Sequence, residues 1–145
     1  MQWEKLLKSN APKAAILIRL MVGLIFLSEG VQKFMFPADI GAGRFEKIGF
    51  SNPEFVAAFV GVNEIVFGTL VLIGFLTRLS VIPLIGIMSV AIVSTKVPIL
   101  LDKGFWKMAH DARTDFSMLM GSIFLLIVGA GALSLDHKLL NSRKS

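Results

Sequence analysis

The chain contains no cysteine. Neither a disulfide nor a redox-active dithiol of the C-x-x-C kind is available, so any electron chemistry requires a bound cofactor or a partner protein. Charge is scarce as well: 17% of the 145 residues are charged, against 54% hydrophobic and a mean hydropathy of +0.74. Soluble domains carry about 25% charge, so this composition excludes an ordinary water-soluble fold. Histidine is limited to His110 and His137, which the topology below puts on opposite sides of a membrane, so one subunit has no metal site. The GAG of IGAGR lacks the strand-turn-helix setting of a dinucleotide fingerprint and reads as a flexible turn. No Ser, His and Asp set has nucleophile context.

What is present is apolar sequence in four long blocks, roughly 14–36, 55–75, 79–97 and 116–135. About 20 residues of helix cross the ~30 Å hydrocarbon layer. Runs without period-two alternation exclude a barrel, leaving helices. The short connection around Thr77 and Arg78 makes the second and third helices antiparallel neighbours. The fold expected is all-α: one transmembrane domain over 1–145, a four-helix bundle running up-down-up-down with amphipathic outer loops. Lys5, Lys8 and Lys13 precede the first block as in a signal peptide, but Arg19 interrupts it and no A-x-A site follows, so it reads as an uncleaved span.

The net charge of +5 is spread along the chain, which points to phospholipid head groups and away from nucleic acid. Lys5, Lys8, Lys13, Arg78, Lys138, Arg143 and Lys144 fall on the side of both termini, against Arg44, Lys47, Lys103, Lys107 and Arg113 opposite. That excess places both termini in the cytoplasm. Trp3 and Trp106 read as interface anchors.

Helix starts are marked in SNPEF, where Ser51 or Asn52 caps, Pro53 takes the first position and Glu54 faces the positive end of the dipole. Thr114 and Asp115 repeat this for the fourth helix, and Pro83 falls in the first turn or so of the third. The loops ADIGAGRFEKIGFSNPE and ILLDKGFWKMAHDARTD mix charges with aromatics and are expected in the interface plane. Glu54 with Asp115, Gly43 with Gly104, and Gly68 with Gly129 share one spacing, as a helix-pair repeat would give.

Small residues form stripes at three-and-four spacing: Gly23 and Gly30; Ala57, Gly61 and Gly68; Gly86 and Ser89; Ser117 and Gly121. In lipid such stripes mark packed faces. Lys33 continues the first stripe and Glu64 interrupts the second, so both charges point into the bundle. By helical rise, Glu64 lies about 15 Å below Glu54, near mid-bilayer, with Glu29, Lys33 and Lys96 in the outer half. Glu29, Lys33, Glu64 and Lys96, with Arg113 and Asp115 at the rim, are expected to converge on one outward-facing polar pocket. An unpaired ion at mid-bilayer costs ~3 kcal/mol or more, so pairing is required. Glu29 and Lys33 suit an i,i+4 pair, leaving Glu64 to Lys96, water or a proton. Three roles fit such a pocket: a site for a quinone-like or other small amphipathic ligand, a proton-coupled transport path through Glu64, or a scaffold whose charges only order the packing and recruit a partner. Leftover glycine faces allow a homodimer.

RLMVGLIFLSEGVQKF, GAGRFEKIGF, NEIVFG, GFLTR, ARTDF and GAGALSLD follow one another between about Arg19 and Asp136. In that order and spacing the chain resembles the DoxX family of small bacterial membrane proteins. The resemblance implies a four-helix protein of the bacterial inner membrane. Members are often named after a subunit of a terminal quinol or thiosulfate:quinone oxidoreductase, and some act with partner proteins in oxidative-stress complexes. It carries over no catalytic residue. With no cysteine and no paired histidines, the expectation is a membrane component of a redox or quinone-linked system without autonomous catalysis.

Overall fold

The structure, a computed structural model, describes residues 7–142. Trp3, Lys5, Arg143 and Lys144, which entered the anchoring and orientation expectations, lie outside the described residues. The described chain is all-α: α1 (Ala15–Met35), α2 (Ala42–Ile48), α3 (Pro53–Ile73), α4 (Thr77–Lys103), α5 (Phe105–Val128) and α6 (Leu135–Ser142). Three of these, α1, α3 and α4, are long and apolar enough to cross a membrane.

The start of α3 follows its sequence signals. The Asn52 side-chain oxygen accepts the Phe55 N–H at 3.3 Å, Pro53 opens the helix and Glu54 sits in its first turn. Gly74 ends it at φ +68°, and three residues separate it from α4. The expected span 79–97 falls short of the helix, because α4 runs 27 residues through both Pro83 and Pro98. Pro83 lies in the second turn, beyond its expected place, and each proline removes a ladder hydrogen bond. Packing along α5 outweighs that loss, since this is the second most extensive helix contact in the chain.

The expected fourth span, 116–135, is displaced. The segment read as an interfacial loop is helical on both sides of Gly104, and Gly104 alone, at φ +80°, joins α4 to α5. A side chain is strained there, so glycine permits the abrupt reversal. Thr114 and Asp115 therefore lie in mid-helix, and α5 stops at Val128, before Gly129. Lys107, Asp111, Arg113 and Asp115 crowd its first half, which is why it reads as less apolar than the other three. The repeat spacing has no structural counterpart at the glycines: Gly43 lies inside α2, whereas Gly104 separates two helices.

The long helices touch in the cyclic order α1, α3, α4, α5 and back to α1, with α1–α3 and α4–α5 the two extensive pairs. Glycine stripes hold the first pair together. A methyl at Gly30 would lie 2.7 Å from the Gly61 carbonyl oxygen, and one at Gly68 would lie 2.9 Å from the Leu27 nitrogen. Gly121 brings α5 equally close to Val22 of α1. The stripe expected on α4 is not a packed face: Ser89 is exposed, and a methyl at Gly86 would meet no atom within 4 Å. Val81, Leu84 and Met88 take the core side of α4, against Val22, Phe26, Val71, Met118 and Leu125. Leu17, Leu24, Val66, Val93 and Ile127 face outward, the inverted surface of a protein solvated by hydrocarbon.

Candidate functional site

Two groups of buried charges occupy opposite ends of the long helices. At the end covered by α2, a cavity of about 700 Å3 opens among α1, α2, α3, α4 and α5. Its walls are mainly apolar, from Phe26, Phe45, Val60, Ile87, Ala91 and Met118, and Glu29, Lys33, Arg44, Asn63, Glu64 and Asp115 put polar atoms on it.

Lys33 and Glu64 form its centre. Lys33 Nζ donates to Glu64 Oε2 at 2.6 Å, linking α1 to α3, and both side chains are buried. The pairing expected within α1 is secondary, because Glu29 is 4.0 Å from the ammonium and 42% exposed. Glu64 draws Lys33 inward because the glycines on both sides bring α1 and α3 close at that level. Of the partners left open to Glu64, Lys96 is not the one taken: Lys96 Nζ binds Asp115 Oδ2 at 2.9 Å, linking α4 to α5. Asp115 became available when α5 began ten residues before it.

Of the residues expected in one pocket, Glu29, Lys33, Glu64 and Asp115 line the cavity. Lys96 stands behind Asp115, and Arg113 is exposed, donating to the His110 carbonyl. Arg44 and Asn63 were missed. Both stand in stretches the sequence flags as amphipathic or small-residue-rich, Arg44 on the short helix α2 together with Phe45 and Ile48, which also line the cavity. Counted with Lys96, the three carboxylates and three cations of the site balance.

The second group was also unanticipated. Arg19, read from the sequence only as an interruption, is buried and donates to four carbonyls: Val71 at 3.1 Å, Leu72 at 2.7 Å, Ala130 at 3.0 Å and Leu133 at 2.6 Å. Buried Asp136 accepts the N–H groups of Leu76 at 2.7 Å and Thr77 at 3.1 Å. This knot ties the GFLTR turn to GAGALSLD. Burial pushes the Asp136 carboxyl up from the usual range, opposed by those N–H groups and the Arg19 charge. Every hydrogen bond of the guanidinium among the described residues goes to backbone, so this end is a structural tie.

Among the described residues no group of three or more His, Asp or Glu could hold a metal ion.

An all-α chain with outward-facing apolar helices and internally paired charges is a membrane protein. Residues 14–97 carry the identification: the DoxX family model matches them, and the chain belongs to that family. It is 54% identical over 143 residues to an uncharacterized membrane protein of Mycobacterium tuberculosis, covering 94% of this chain and 88% of that one. It is 29% identical over 134 residues to "Putative oxidoreductase CatD" of Bacillus subtilis, covering 90% of each. No solved structure matches it.

Proposed function

We propose that this DoxX-family protein is a membrane component of a redox or quinone-linked system that holds a small amphipathic ligand in the α2-capped cavity. In this reading the four long helices form an up-down-up-down transmembrane bundle in the inner membrane. Both termini are cytoplasmic, and the cavity lies in the outer half. The observation that carries it is the buried Lys33–Glu64 pair exposed to an apolar cavity of about 700 Å3. A purely structural ion pair is better served by tight packing around it, whereas apolar walls with a few convergent polar groups suit a ligand.

The residues fit a quinone or quinol. Lys33, Arg44 and the Asn63 amide can donate to carbonyl oxygens, and Glu64 Oε1, which receives no hydrogen bond among the described residues, can accept from a hydroxyl. Such a group, when bound, would supply a quinone/quinol couple that exchanges two electrons and two protons. The chain's own contribution is to orient the head, exclude water with α2, and accept a hydroxyl hydrogen bond at Glu64 Oε1. The name of the Bacillus subtilis relative agrees with a redox association. Turnover on this chain alone is not part of the reading, and a partner protein or a second copy would complete the system.

Protein extracted in mild detergent, analysed by mass spectrometry, should retain a lipid-soluble amphiphile that Glu64→Gln loses. Equal retention by both proteins, or none by wild type, would refute the proposal.

A further inference from the structure

The cavity is bounded by two tight helix pairs, α1–α3 and α4–α5, and the seam between α3 and α4 is much less extensively packed than either. Several residues on that seam line the cavity and face outward at once. Phe59 of α3 is 57% exposed, Val90 of α4 is 56% exposed, and Gly86, one turn before Val90, is exposed with open space where a side chain would stand. A residue that is both cavity wall and outer surface marks an opening. The groups at this opening are apolar, and they lie on two of the three helices long and apolar enough to cross a membrane.

Resting on the pocket reading above, we infer that the cavity is loaded sideways from the hydrocarbon layer through the α3–α4 seam at Gly86, and that its ligand is an uncharged, hydroxyl-bearing head on a single long apolar tail. The balanced charges of the site disfavour a charged head, because a net ion brought there would meet no counter-charge. The unused Oε1 of Glu64 supplies a hydroxyl acceptor at the inner end. The seam then gives the tail a place to lie while the head sits beside Glu64. Gly86 leaves the slot wide: a bulky group there would narrow it, while a methyl enters open space and the helix itself would gain from alanine.

The native chain has no cysteine, so Gly86→Cys introduces the single thiol of the protein. It can be capped with pyrene maleimide after folding in lipid nanodiscs, which separates blockage from misfolding. Three probes distinguish the head from the tail: 4-decylphenol, monodecanoylglycerol and phenol. The tailed probes should slow thiol capping about tenfold, and capping should weaken their binding by about the same factor. Phenol, having no tail, should do neither. Protection by both tailed probes assigns a general hydroxyl head, and protection by 4-decylphenol alone assigns an aromatic one. Equal protection by phenol, or tailed-probe binding that capping leaves unchanged, would overturn the sideways route. If wild type retains a Glu64-dependent ligand while capping has no effect, the pocket survives and only the route fails.

Discussion

Arg19 and Lys33 are both buried cations on α1, separated by roughly 21 Å of helix, yet their surroundings are built on different plans. Arg19 spends its guanidinium on four backbone carbonyls from two distant segments, with Asp136 holding the neighbouring turn by its N–H groups. Lys33 is held chiefly by the Glu64 carboxylate at 2.6 Å, with the Glu29 carbonyl at 3.4 Å and its carboxylate at 4.0 Å as weaker contacts, and it borders the cavity. The first arrangement satisfies backbone that hydrocarbon could not, so it has one function and no spare capacity. The second leaves donors and an acceptor unspent, which is what recognition needs. A buried charge in a membrane protein is therefore informative less by its burial than by whether its partners are main chain or side chain.

The sharpest way to break this contrast is Arg19→Met. It orphans the Leu72, Ala130 and Leu133 carbonyls, Val71 keeping the Gly74 N–H, and should cost about 4–5 kcal/mol or abolish folding, as read by thermal unfolding in detergent. Pairing it with Asp136→Leu should bring no rescue, because the Leu76 and Thr77 N–H groups then lose their acceptor. Lys33→Met should cost about 3 kcal/mol by stranding Glu64, whereas Lys33→Met with Glu64→Met should recover most of that while losing the retained ligand. Equal behaviour of the two double variants would erase the distinction.

Smaller changes refine the helix seams. Gly30→Ala drives a methyl into the Gly61 carbonyl and should cost about 2 kcal/mol. Gly86→Ala enters open space and should be neutral or stabilising by up to about 1 kcal/mol. The smallest expected effect is on pH. Because Asp136 keeps its proton to higher pH folded than unfolded, the unfolded chain binds fewer protons above the ordinary value of 3.8. Stability should fall as pH rises from there to the elevated folded value and level off beyond it, and Asp136→Asn should flatten this slope.

Much of α1 and α3 was legible because apolar length, a capping asparagine and facing glycines all act locally. Lys33 and Glu64 were legible as inward-facing because they share those glycine lines. The α4–α5 region was not, since Pro98 and a run of charges look like a loop until the two helices pack along one another and Gly104 supplies the reversal. That misreading hid the Lys96–Asp115 pair, and with it the true partner of Lys33. Arg19 was hidden for another reason: its partners are carbonyls, and no residue type announces a free carbonyl.

Among the described residues, each ion pair that joins two helices lies inside one helical hairpin, Lys33–Glu64 within α1–α3 and Lys96–Asp115 within α4–α5. Each hairpin can thus leave the ribosome's insertion channel already electrically settled, without waiting for the other. Arg19 alone must wait. Two of its carbonyls arrive only with Ala130 and Leu133, 111 and 114 residues after it, so a nascent chain stopped before Ala130 leaves α1 without that fastening.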